Sequence, residues 1–167
     1  MVEPSRGDTG VEGPTLGSAE EPLTMRIVAS AFLGGVAGLV VMTPVIVGIP
    51  MLLGIFQLDP LAGFADLVIA EADAVLGLAF FVAGGVVVLP LFFVVTASFL
   101  PPREPKYLRG ATISSFFWVS FVYIFWPSGG VFVNSVYVVV TLASHWIYGA
   151  VLGLVMERLT GIPSHRV

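Results

Sequence analysis

At 167 residues the chain has the length of one ordinary domain, yet 57% of it is hydrophobic and only 11% is charged, which excludes the balance of a water-soluble globular protein. Its formal net charge is −4 and it contains no cysteine, so disulfides, thiolate zinc sites and iron–sulfur clusters are excluded as well. The composition predicts an all-α membrane protein, a four-transmembrane-helix bundle with a short amphipathic surface helix after the first span.

Residues 1–24 are rich in Gly, Pro, Ser and Glu without apolar periodicity, the pattern of a disordered acidic tail. The apolar run that follows is too long for the core of a signal peptide and lacks a cleavage site, so it reads as a retained span. Spans are expected at about 27–56, 76–100, 108–126 and 131–156, against the roughly 20 residues that cross ~30 Å of hydrocarbon. The first and last are long enough to tilt, kink or protrude. Pro44 and Pro50 in the first span and Pro90 in the second each remove a backbone donor, and kinks are expected there.

Between the first two spans, Asp59 and Pro60 form a helix start, with the acid as N-cap. Leu61, Phe64, Val68 and Ala72 then recur at helical spacing, predicting an amphipathic helix over about 60–73 that lies on lipid or on the bundle. Asp59, Asp66 and Asp73 repeat every seven residues on another face. They form either a solvated face or an acidic outer patch that gathers cations or docks a partner. Tyr123, Phe125, Trp126 and Pro127 close the third span as interfacial aromatics, followed by a turn at Ser128, Gly129 and Gly130. Residues 160–167 are a short second tail.

The basic residues orient these spans. Arg6 and Arg26 precede the first, Arg103, Lys106 and Arg109 lie between the second and third, and Arg158 and Arg166 follow the fourth. Loop Lys and Arg are retained inside during insertion, so both termini and the middle loop are expected to be cytoplasmic in a multi-pass protein of the cell membrane. Six Arg against one Lys, with acids concentrated in the leader and first outer loop, also suggest a halophilic source.

His145 is the one ionisable side chain expected deep in a span, and such groups are functional-site candidates by default. It shares a helix face with Gly149 and Gly153, so it is expected to point at a neighbouring helix. An interhelical hydrogen bond, to Thr43, Ser114, Ser120 or Tyr123, is one reading, and haem ligation or proton relay is the other. A bis-histidine haem cannot be built, since His165 lies in the tail, although Met42 could supply a second ligand. Thr43 and Tyr148 complete a candidate intramembrane polar site with His145. Ser30, Gly34 and Gly38 form a second small-residue stripe, and the two stripes are candidates for close packing of the first span on the fourth, or of either on a partner subunit. No phosphate loop, metal-ligand cluster or hydrolytic constellation is visible, so the chain is not expected to be an enzyme, and no cofactor, metal or nucleic-acid partner is expected.

Three segments carry a family resemblance: Gly34-Gly35-Val36-Ala37-Gly38 leading to Val41-Met42-Thr43, Tyr107-Leu108-Arg109-Gly110-Ala111, and His145-Trp146-Ile147-Tyr148-Gly149-Ala150-Val151-Leu152-Gly153. From about Arg26 to Leu159 the chain resembles a family of small four-span proteins abundant in halophilic archaea and bacteria. Many members have a histidine early in the second span, where this chain has Phe80 or Phe81, so a two-histidine site is not implied here. Some halophile members are described as cytochrome oxidase related. The resemblance therefore implies a non-catalytic accessory subunit of a respiratory membrane complex, a haem–copper terminal oxidase, partnered by lipids and larger integral subunits. A self-contained small transporter or channel is the rival expectation, and a small haem-binding membrane protein using His145 is a third.

Overall fold

The computed structural model describes residues 24–162; the expected tails, with Arg6, His165 and Arg166, lie outside them. The described residues form five helices: α1 (Met25–Leu52), α2 (Asp59–Ile69), α3 (Ala74–Phe99), α4 (Leu108–Ile124) and α5 (Val131–Leu159). Of these, α1, α3 and α5 are long and apolar enough to cross a membrane, while α4 has 17 residues. Large apolar side chains remain on the outside of the bundle, among them Leu33 and Val40 of α1 and Val75 and Val95 of α3. Such a surface associates the chain with a membrane, because lipid tails cover it without the cost that water would impose.

The prolines act by widening the helices. α1 and α3 each contain five residues of π-helix, Pro44–Gly48 and Gly84–Val88, and each stretch ends two residues before a proline, Pro50 and Pro90. A proline lacks the N–H and crowds the carbonyl four residues back, and one wide turn relieves both problems.

The helix ends differ from expectation for local reasons. α1 stops at Leu52 because Gly54 takes a left-handed conformation, φ 67°. Its N–H then donates to Met51 O, and that of Ile55 donates to Pro50 O, a paired closure that satisfies the last carbonyls. α2 stops at Ile69, where Ala70 is left-handed at φ 56°, so Ala72 and Asp73 fall outside it. Asp59 is its first helical residue and makes no side-chain cap bond; the cap expected there is instead made by Asp73, whose Oδ1 accepts from Val75 N and Leu76 N at 2.8 Å and starts α3.

Glycines set the helix spacing. A β-carbon at Gly34 would lie 2.8 Å from Leu152 Cδ1, and one at Gly38 would lie 2.7 Å from Tyr148 Cδ2, so α1 runs antiparallel to α5 with two large side chains seated over glycines. Gly149 faces the backbone of Gly110, and Gly153 faces that of Tyr107. α5 thus presents large residues to α1 and small ones to α4. The loop between α3 and α4 is closed by Arg109, 7% exposed, which donates to Pro102 O (Nε, 3.0 Å), Ala97 O (Nη1, 3.2 Å) and Arg103 O (Nη2, 3.1 Å). This planar fork suits three carbonyls in a way a lysine would not.

With this antiparallel order, Arg26, Arg103, Lys106, Arg109 and Arg158 gather at one end of the bundle, and Asp59, Asp66, Glu71 and Asp73 at the other. At the acidic end, α2 docks through fully buried Ala65 and through Phe64, whose ring lies 4.9 Å from that of Phe125 and 6.3 Å from that of Phe80. Gln57 ties the α1–α2 loop to the α4–α5 turn. Its Nε2 donates to Ser128 O (2.7 Å) and its Oε1 accepts from Ser128 N (3.1 Å).

Candidate functional site

Mid-bundle, α5 turns Thr141, Ser144, His145 and Tyr148 inward, all buried. The hydroxyls of Thr141 and Ser144 donate to the carbonyls of Tyr137 and Val140 one turn back, each at 2.7 Å, so they are satisfied by their own helix. Tyr148 behaves differently. Leu89 N–H bonds Gly84 O in the wide register of α3, and in that register the donor for Gly85 O would be residue 90, a proline. The Tyr148 hydroxyl takes that place, 2.5 Å from Gly85 O. A carbonyl orphaned by Pro90 is thereby satisfied across helices, as an apolar interior demands.

His145 is 6% exposed, and its Nδ1 lies 2.8 Å from Thr141 O. A carbonyl can only accept, so Nδ1 carries the proton, and in the neutral ring Nε2 holds a lone pair. Among the described residues neither ring nitrogen bonds another helix, and the partner of Nδ1 is the backbone of His145's own helix. Thr43 is exposed with its hydroxyl on Leu39 O (2.7 Å), Ser114 sits against Gly149, and Tyr123 is 87% exposed. Of the candidate polar set, His145 and Tyr148 come together and Thr43 does not join them.

Both side chains line an open-sided cavity of about 440 Å³ to which all five helices contribute. Leu39 and Met42 come from α1, Phe64 from α2, the wide turn at Gly84 and Gly85 from α3, Phe117, Ser120 and Phe121 from α4, and Phe125 from its C-terminal cap position. The Phe121 ring lies 4.8 Å from the His145 imidazole, tilted by 59°. A second cavity of about 340 Å³ lies towards the acidic end, beside Ile46 and Val47 of the wide turn in α1 and Tyr137 and Thr141 of α5. Phe81, Phe121 and Phe125 line both and divide them. Each cavity thus sits at a π-helical turn, where the wider coil displaces side chains from the close packing found elsewhere. His145 Nε2 and the Met42 thioether are the potential iron ligands here, and among the described residues no group of three or more His, Asp or Glu could hold a metal ion.

The remaining sequence candidates have packing contacts within the chain. Ser30 Oγ donates to Ile27 O and lies 2.8 Å from Thr160 Oγ1, joining α1 to the end of α5. Gly34, Gly38, Gly149 and Gly153 are filled from neighbouring helices. Asp59 and Asp66 are exposed, but Asp73 is the cap of α3, so the seven-residue repeat does not form one helical face. Arg109 and Gln57 carry structural duties their sequence positions did not disclose.

Fold and site together define a helical, membrane-associated protein with an aromatic cavity at its one described histidine. Residues 25–167 match DUF6789, a family of unknown function, and the chain belongs to it. Comparison with curated proteins and with solved structures gave no match.

Proposed function

We propose that the chain is a four-span protein of the cell membrane, both termini cytoplasmic, working as a non-catalytic accessory subunit of a larger membrane complex. The resemblance noted in the sequence suggests a respiratory haem–copper oxidase as that complex. The gathering of basic residues at one end supports the orientation. The observation that carries the accessory role is the outer face of α4 and its neighbour α5, where Phe116 (64% exposed), Val119 (63%), Val139 (66%) and Trp146 (51%) stand outward. Trp146 is held there by its Nε1–H bond to Ser115 Oγ, 2.9 Å. At 17 residues α4 is ~26 Å long, short of the ~30 Å hydrocarbon. A span that short thins the bilayer or associates with other protein, and an adjoining aromatic surface favours association.

The geometry supports a transport path less well. Hydroxyls at Thr43, Thr96, Ser115, Thr141 and Ser144 all donate to carbonyls one turn back on their own helices, so none offers a polar stepping stone for an ion.

Gentle extraction of native membranes, with the full chain tagged on its N-terminal tail and co-eluting proteins identified by mass spectrometry, tests the proposal. Oxidase subunits are expected in stoichiometric amount, and Phe116→Ser combined with Val119→Ser should release them while the chain stays folded. A chain that elutes alone or only with itself would overturn it.

A further inference from the structure

His145 is the buried polar side chain of the cavity wall that keeps an unpartnered atom, Nε2, whereas Ser120, the other wall residue whose polar atom has no hydrogen bond, is exposed. Nδ1 is fixed on Thr141 O behind the ring, so Nε2, on the far side of the imidazole, points away from α5. No group among the described residues hydrogen-bonds it. We propose that the cavity binds a membrane-soluble ligand with a hydroxylated aromatic head, of the phenol or hydroquinone class, whose hydroxyl donates to His145 Nε2. This site stands whether or not the chain docks on a larger complex.

The chemistry follows from the wall. A volume of about 440 Å³ falls in the range of small-molecule sites, which are apolar with a few placed polar groups. Phe81, Phe117, Phe121 and Phe125 line it, and aromatic rings favour a flat ring that can stack or meet them edge-on. The Tyr148 hydroxyl is engaged by Gly85 O, and the other polar side chain in the wall is Ser120. Ser120 is an exposed, rotatable hydroxyl at the rim, so the fixed, buried acceptor that a ligand meets is His145 Nε2, which selects a donor. A charged carboxylate or ammonium would enter without a counter-charge and is disfavoured.

Access comes from the side. Ala83 and Val88 of α3 and Ser120 of α4 line the cavity and are also exposed on the outside of the bundle, so the opening lies between α3 and α4, at the level of the apolar surface. A ligand dissolved in lipid can enter there without crossing water. The wide turn at Gly84–Val88 keeps this seam open, and the Nδ1–Thr141 bond fixes the ring orientation before the ligand arrives, as hydrogen bonds behind a binding imidazole do elsewhere.

The test uses the purified full chain in lipid nanodiscs, titrated calorimetrically with 1-naphthol, with empty nanodiscs subtracted and 1-methoxynaphthalene as the matched ring without a donor. Saturable binding of one naphthol per chain is expected, weakened about tenfold for the ether and for His145→Leu, the scale of one buried hydrogen bond. His145→Gln, which keeps an acceptor, should retain most of the affinity. Absence of saturable binding, equal binding of ether and naphthol, or a haem absorption band lost in His145→Leu would each overturn the proposal. Should His145→Leu fail to fold, the comparison of naphthol with its ether on the unaltered chain decides alone.

Discussion

The two ends of the bundle are packed by opposite means. Towards the basic end, backbone lies against backbone: Gly149 meets Gly110, Gly153 meets Tyr107, and Arg109 ties down three loop carbonyls. Towards the acidic end, large rings do the spacing. Phe64, Phe81, Phe121 and Phe125 stand between the helices, α1 and α3 each widen by one turn, and two cavities remain. In lipid there is little hydrophobic drive between helices, so association depends on contact quality. Glycine contacts supply it over a short stretch, leaving the remainder of the bundle free to hold space. The rigid end therefore positions the open one.

The largest expected effect comes from breaking the glycine end. Gly149→Leu would drive a side chain into the Gly110 backbone and Ser114 Oγ, forcing α4 off α5. A loss of about 3 kcal/mol, the upper range for overpacking, is expected in detergent unfolding of the purified chain. Val136→Phe makes a comparable increase in size beside the cavity of about 340 Å³ and should change stability by less than about 1 kcal/mol. Equal losses from the two would mean that the cavities are not spare volume and that the contrast between the ends is false.

How far this contrast could be read in the sequence depends on the signal each part leaves. Apolar runs between 25 and 159 placed the long helices, and the stripes Gly34/Gly38 and Gly149/Gly153 marked close approach, because small residues at intervals of four have few other uses. The stripes suggested the first span against the last, which is where Gly34 and Gly38 lie, but that the second stripe turns instead to α4 was not legible, since a glycine is equally receptive to a side chain and to a backbone. Leu152 and Tyr148 fill one stripe, while Gly110 and Tyr107 fill the other. The end of α2 was hidden because Ala70, unlike Gly54, carries no mark of a left-handed residue. Arg109 looked like one loop charge among three, since its acceptors are carbonyls that any sequence possesses. Pro90 announced an interruption, but its outcome, a wide turn capped by a tyrosine on another helix, depends on tertiary neighbours. His145 was identifiable by chemistry alone, and its cavity was not, because a void is set by residues scattered over five helices.

The junction between the two ends can be tested through Tyr148. Tyr148→Phe keeps the ring over Gly38 but removes the donor to Gly85 O, and should cost about 1–2 kcal/mol for the stranded carbonyl. Pro90→Ala restores a backbone N–H that can satisfy the same carbonyl. In the double variant the tyrosine should therefore matter less, with a coupling of about 1 kcal/mol in the unfolding cycle. Strict additivity would show that Gly85 O has another source of satisfaction, and that the wide turn is not held by α5.

The smallest effect concerns the wide turn itself. Gly84 has ordinary right-handed helical angles, φ −56° and ψ −48°, and, its chain neighbours and adjacent helix backbone aside, no atom lies within 4 Å of where its β-carbon would stand. Neither conformation nor space then requires glycine. Gly84→Ala should be neutral or stabilising by up to about 1 kcal/mol, from the lower chain entropy of alanine. The neighbouring Gly35→Ala should lose stability, since its β-carbon would meet Gly85 O at 2.6 Å and Pro90 Cγ at 2.7 Å. A gain at Gly84 beside a loss at Gly35 would mark the wide turn as a fixed shape built to leave room. A loss at Gly84 would mean instead that the segment needs the freedom of glycine, and that the seam between α3 and α4 opens by a change of helical register.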